Sequence, residues 1–374
     1  MVRFCAKAGY RRLLIDRLCT KPAYRSANSY AQLVSLKLLA LVRLVAFAIV
    51  LVLCACGGAQ PPVQPHPAVQ TKGPLGDTWS WDGTTWHQVA TSGPSPRYFP
   101  ALAYDPAHRQ SVLFGGQTSK GSSDETWLWN GKAWHMANPV HKPAPRRGAA
   151  MAWDPLTNSV MLYGGLVADQ IEGHEVGETW SWNGTDWSEV GAEPGAPGVR
   201  QGATMITAGN RVLLFGGNEG NDLYFRDTWS VSDGVWARVD RSPGPAGRSG
   251  AAVSWDQSTS TMFIYGGIGL NAAAGPGALG SSLSDSWSLT GATWTELTGG
   301  PSSLQFANAL TGGGRFIVLL GMACPHPSDD SWGWDGKSWT RLAKPGMSAR
   351  WGAALAQQPV GSALLFGGSN QAGC

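Results

Sequence analysis

The chain has 374 residues, 50 of them glycine and 24 proline, and only 14% are charged, a composition of turns and strands that excludes long helices. Its formal charge of +3 is concentrated at the start: nine of the 28 basic residues and one acid, Asp16, precede Cys56, which leaves 19 basic against 24 acidic residues and a net of −5. A mildly acidic body excludes the basic face on which nucleic-acid binding depends.

In chain order, the first predicted element is a secretory signal. Arg43 is followed by the ten-residue apolar run Leu44 to Leu53 and then by Cys54-Ala55-Cys56-Gly57-Gly58. The run is too short for a membrane span, and a signal-anchor helix over residues 38–56 would bury Arg43 at a cost of about 2.5 kcal/mol or more. Leu53-Cys54-Ala55-Cys56 resembles a bacterial lipobox. The resemblance implies cleavage after Ala55, lipid on Cys56, and an extracytoplasmic protein anchored to the bacterial cell membrane. Residues 1–55 are therefore read as a lipoprotein-type signal segment and residues 56–75 as a Gly/Pro-rich tether without packing potential. Residues 76–374 form the folded domain.

That domain is an internal repeat. A tryptophan recurs seven positions after another at Trp79/Trp86, Trp127/Trp134, Trp180/Trp187, Trp229/Trp236, Trp287/Trp294 and Trp332/Trp339. A period near fifty residues marks stacked supersecondary units. One copy reads Pro143-Ala-Pro-Arg146, the small run from Gly148, Val160-Met-Leu-Tyr-Gly-Gly165, then Glu178-Thr-Trp180 and, after Asn183-Gly184, Trp187. This predicts four short strands, A to D, with Asp-Gly or Asn-Gly in the tight C–D turns. Strand A is rich in Gly and Ala, as a crowded central axis requires, whereas the tryptophan pairs suit the wider space between units. Trp81, Trp129, Trp182 and Trp334, on the other face of strand C, are expected at the surface.

The strand-ending Gly-Gly (Gly115-Gly116, Gly164-Gly165, Gly216-Gly217, Gly266-Gly267, Gly367-Gly368) with a downstream Trp resembles the kelch repeat; the remaining copy is read as Gly321-Met322. The resemblance covers about four-fifths of the chain. It implies an all-β, six-bladed kelch-like β-propeller, each blade holding four antiparallel strands. The chain starts in strands C and D and ends in strands A and B, so the ring is expected to close by pairing the two ends, which removes exposed sheet edges.

In such a fold the B–C and D–A loops share one face. The separation from the second glycine position to the next Trp varies from 10 to 20 residues, while that from the D-strand Trp to the second glycine position stays between 28 and 31. Variable loops on a rigid scaffold form the expected binding surface. The longest are residues 166–177, with Asp169, Glu172, His174 and Glu175, and the Gly/Ala/Ser-rich stretch 268–284. Arg97, Arg146, Arg200, Arg248 and Arg350 start strand A on this face, with Leu304 in the sixth place, and with His174 they are the candidate ligand residues. An acid precedes the first Trp by two in each copy (Asp77, Glu125, Glu178, Asp227, Asp285, Asp330). Pairing of these acids with the arginines is the structural alternative to ligand binding.

Lipidation of Cys56 leaves Cys324 and Cys374, an even pair in an oxidising compartment on adjacent blades, expected as a disulfide. The seven histidines lack metal-ligand spacing, so no metal site, cofactor or catalytic set is assigned. Ser80-Trp-Asp-Gly-Thr-Thr-Trp86 is close to a sialidase Asp box, but its Asp and Gly are adjacent and out of register. The expected function is a membrane-anchored, monomeric binding module that recognises an extracellular protein, peptide or glycan on the B–C/D–A face. The alternative is a carbohydrate-active enzyme, sialidase-like or sialic-acid-isomerase-like, on an acidic sugar.

Overall fold

The computed structural model describes residues 72–168, 173–191, 195–220, 223–232, 234–239, 243–269 and 280–373. The signal segment, Cys56, most of the tether, Asp169, Glu172 and Cys374 lie outside these residues. The described chain is almost wholly β-structure, and its principal elements are six four-stranded antiparallel sheets, as a propeller-like fold requires. Five are continuous in sequence: sheet 1 (101–136), sheet 2 (150–190), sheet 3 (204–238), sheet 4 (252–297) and sheet 5 (308–341). Sheet 6 combines strands A and B at Ala354–Gln357 and Ala363–Phe366 with strands C and D at Thr78–Trp81 and Trp86–Ala90. Thr78–Trp81 runs antiparallel to Ala363–Phe366, with Trp79 opposite Leu365.

Composition explains the order within a sheet. Each B strand is a continuous apolar run, such as Val112-Leu113-Phe114, which is buried on both faces because strands A and C flank it. The C–D turns reverse at glycines with positive φ, 103° at Gly83 and 101° at Gly184. Asp82 fixes one such turn by accepting the backbone N–H groups of Thr84 and Thr85, each at 2.8 Å.

The tryptophan pair divides its labour between neighbouring sheets. The D-strand indole packs on the aromatic residue that ends strand B of the preceding sheet, with ring centroids 5.0–5.9 Å apart in Trp134/Phe366, Trp187/Phe114, Trp236/Tyr163, Trp294/Phe215 and Trp339/Tyr265. The C-strand indole of five copies instead donates its N–H to the acid two residues before it, as in Trp79 to Asp77 at 2.7 Å.

Trp129, Trp182 and Trp334 are buried, and Trp81 is half-buried against Trp86. This corrects the expectation of surface aromatics. Each packs at a tilt against the D-strand tryptophan directly across the C–D turn, at centroid distances of 5.4–5.7 Å, and so closes the core at that end of the sheet.

The sixth glycine pair is also one residue out of register. The second glycine of each pair donates its N–H to the carbonyl at the arginine position of the next copy, at 2.8–3.0 Å, and in sheet 5 this donor is Gly321. Leu320, not Gly321, therefore holds the first-glycine position, and it does so at φ 62°. Elsewhere a side chain here meets backbone: a Cβ on Gly115 would lie 2.5 Å from the Arg146 carbonyl oxygen. Sheet 5 thus departs from the pattern twice, with Leu304 for the arginine and Leu320 for the glycine whose carbonyl that arginine would bind.

Candidate ligand-binding mouth

The A strands of consecutive sheets lie side by side, and the last, Ala354–Gln357, lies against the first, Ala101–Asp105. Just before each A strand stand three successive positions with separate duties. They begin Arg97-Tyr98-Phe99, Arg146-Arg147-Gly148, Arg200-Gln201-Gly202, Arg248-Ser249-Gly250, Leu304-Gln305-Phe306 and Arg350-Trp351-Gly352.

The first position is structural. All five arginines are at most 2% exposed, and each binds a carboxylate: Arg97 to Glu125, Arg146 to Glu178, Arg200 to Asp227, Arg248 to Asp285 and Arg350 to Asp77. Each also donates to the carbonyl of the first glycine in its own copy, at 2.9–3.2 Å. In Arg97 and Arg350 all five N–H groups are hydrogen-bonded within the protein. Burial pushes the carboxyls of Asp77, Glu125, Glu178, Asp227 and Asp285 up, but the arginine and indole hydrogen bonds and the guanidinium charge outweigh it and hold all five below their ordinary range. In sheet 5, where Leu304 replaces the arginine, Asp330 pairs with the exposed Arg341 instead.

The third position forms the mouth. Its six residues make a closed cycle of backbone hydrogen bonds, 2.7–3.3 Å long: Phe99 N–H to Gly352 O, Gly352 to Phe306, Phe306 to Gly250, Gly250 to Gly202, Gly202 to Gly148, and Gly148 to Phe99. All six residues have φ between 52° and 64°. Glycine adopts this conformation freely, whereas a bulky residue is strained there by about 1–2 kcal/mol. Four copies carry glycine, yet Phe99 and Phe306 accept the strain. Their rings meet edge to face at 4.8 Å, and Trp351 and Tyr98 extend the cluster at 5.3–6.0 Å.

A cavity of about 330 Å³ opens at this mouth, within the range of small-ligand sites. Phe99 and Phe306 give it an apolar wall. It is also lined by Arg147, Gln201 and Ser249 from the second position, with Asn218 and Tyr224 from the B–C loops. The loops themselves form short β-ribbons. Leu166–Ala168 pairs with both Arg146–Arg147 and Gly173–Glu175, and Gln201 pairs with Asn218. Gln201 Nε2 donates to Glu175 Oε1 at 3.0 Å, and Arg147 Nη1 donates to Gln117 Oε1 at 2.9 Å.

None of the five buried arginines lines the cavity, and neither does His174, which is exposed on Gly173–Glu175. Among the described lining residues there is no carboxylate or histidine, and no cluster of three metal-ligating groups occurs among the described residues. Sequence reasoning missed Phe99, Phe306 and Arg147. The available signal was variation between copies: the arginine column is nearly invariant because it serves the scaffold, whereas the next two columns change chemistry from one copy to the next. Cys324 is disulfide-bonded, and Gly373 N–H donates to Pro325 O at 3.1 Å, so the end of the described chain lies beside the Cys324 loop. No protein-family model and no curated protein matches this chain.

Proposed function

We propose that residues 76–374 form a six-bladed, ring-closed β-propeller of the kelch type, tied by a Cys324–Cys374 disulfide, that binds a glycan at the B–C/D–A mouth. The cycle of six hydrogen bonds and the pairing of Thr78–Trp81 with Ala363–Phe366 support ring closure. The strained Phe99/Phe306 pair carries the functional reading. Two phenyl rings held at an open mouth against backbone preference form an apolar wall in a cavity also lined by amide, hydroxyl and guanidinium groups. A sugar ring presents that combination of an apolar face and a hydroxyl edge. Glycoside hydrolysis of the two-carboxylate kind would need two facing acids, and the described lining has none.

A glycan array probed with the purified protein is expected to show selective binding that is at least about ten-fold weaker in the Phe99→Gly/Phe306→Gly double variant, which keeps the backbone conformation and removes the wall. Binding to no glycan, or equal binding by the variant, overturns the reading.

The same reading places the domain outside the cytoplasm on a lipid anchor at Cys56, as the lipobox-like Leu53-Cys54-Ala55-Cys56 motivates. Metabolic labelling with palmitate in a bacterial host should mark the wild-type chain and not Cys56→Ser. Equal labelling of both would refute the anchor.

A further inference from the structure

Among the described residues, the mouth contains one cation with no counter-charge. Arg147 is half-buried on the strand Arg146–Arg147 and lines the cavity, yet its only hydrogen-bond partner among the described residues is the neutral Gln117 Oε1, at 2.9 Å. Among the described residues it takes part in no salt bridge, in contrast to its neighbour Arg146, which holds Glu178. Glu175, on the neighbouring ribbon, is engaged at Oε1, which accepts from Gln201 Nε2 at 3.0 Å and from Gly220 N–H at 3.3 Å. A guanidinium beside a partly apolar cavity is stabilised by an anion that offers two parallel acceptors, and a carboxylate does so bidentately through the N–H groups that Gln117 leaves free. Phe99 and Phe306 line the same cavity as the polar Arg147, Gln201 and Ser249. One ligand can therefore place an apolar ring face on the phenyl groups and an acidic substituent on Arg147.

We infer that the glycan recognised at this mouth carries a carboxylate, as in a uronic-acid unit, and that Arg147 is the residue that reads it. The inference rests on the binding reading above and adds a charge to it. Gln117 orients the guanidinium by accepting from one Nη1 N–H, and the carboxylate takes the outer edge.

The test compares, by calorimetry on the full chain, uronic-acid oligosaccharides with the same oligosaccharides after reduction of the carboxyl to the primary alcohol. The wild-type protein should bind the acidic form at least about ten-fold more tightly, with affinity falling as salt rises. Arg147→Gln should lose that preference while keeping weak binding of the reduced form, and Arg147→Lys should retain part of it, because charge remains while the planar fork is lost. The comparison of ligands on the wild-type chain stands even where a variant folds poorly. Equal affinity for acidic and reduced forms, or a preference unchanged in Arg147→Gln, overturns the carboxylate inference and leaves glycan binding intact. Absence of binding to both forms, together with an empty array, overturns both.

Discussion

Replacing Asp77 with alanine is expected to lower the free energy of unfolding by about 3–5 kcal/mol, the usual consequence of leaving one member of a buried ion pair uncompensated. Arg350 has no exposed surface and donates to both carboxylate oxygens of Asp77, at 2.7 and 2.8 Å. The partners are 273 positions apart, so this pair joins the first and last segments of the described domain beside sheet 6. Denaturant unfolding followed by tryptophan fluorescence measures the loss. Arg341→Ala, which breaks only the exposed pair with Asp330 in sheet 5, should change stability little. Leu304 suggests a second arm: Asp77→Leu/Arg350→Leu should recover part of the loss, because an apolar pair replaces both charges, although the Gly367 and Ser348 carbonyls lose their donor. Equal losses for Asp77→Ala and the double variant would mean that losing the carbonyl bonds costs as much as leaving the guanidinium uncompensated.

The same pairs fix an acid limit. Asp77, Asp227 and Asp285 are held below an ordinary value of 3.8, and Glu125 and Glu178 below 4.5. A carboxyl depressed in the folded state binds protons more readily when unfolded. Its stabilisation is therefore complete above the unfolded value and is lost as pH falls through the folded one. The melting temperature should hold steady from neutrality to roughly pH 5 and then fall with acidification, less steeply in Asp77→Ala. A wild-type melting temperature unchanged down to about pH 3 would show that the five pairs do not govern acid stability.

Much of the scaffold was legible because packing between repeats tolerates few chemistries. Only glycine fits easily where Gly115 faces the Arg146 carbonyl, and only a large ring fills the gap that Trp187 occupies against Phe114. Such positions repeat, and repetition is what a sequence displays. The exceptions were misread for the same reason. Leu320 broke the expected glycine pair, and the register slid to Gly321 because the pattern was matched by residue type and not by backbone conformation. Strand alternation alone points Trp182 to the surface, whereas its packing against Trp187 depends on how tightly the C–D turn folds back. The mouth was the least legible part. Its hydrogen-bonded cycle is made by backbone, and the residues that give it chemistry, Phe99, Arg147 and Phe306, are departures from the repeat. The arginines drew notice because they recur, and they recur because each holds its own sheet together.

Trp187→Ala is expected to cost about 3–5 kcal/mol, comparable to loss of the buried ion pair. The indole is 1% exposed and joins two sheets by two kinds of contact. Its ring packs edge to face on Phe114 at 5.4 Å, and its N–H donates to Thr126 Oγ1 of the preceding sheet at 2.9 Å, in a buried bond. It also stacks on Trp182, so alanine would open a cavity lined by two further rings that the paired strands hold apart. Trp187→Phe refines the expectation. It refills most of the volume but strands the Thr126 hydroxyl, so its cost should be about 1–3 kcal/mol, the penalty of an unpaired buried group. Adding Thr126→Val removes that group, and Trp187→Phe/Thr126→Val should therefore be less destabilised than the sum of the two single changes. Strict additivity in the cycle would show that the indole N–H contributes nothing, and that ring packing alone holds sheet 2 against sheet 1.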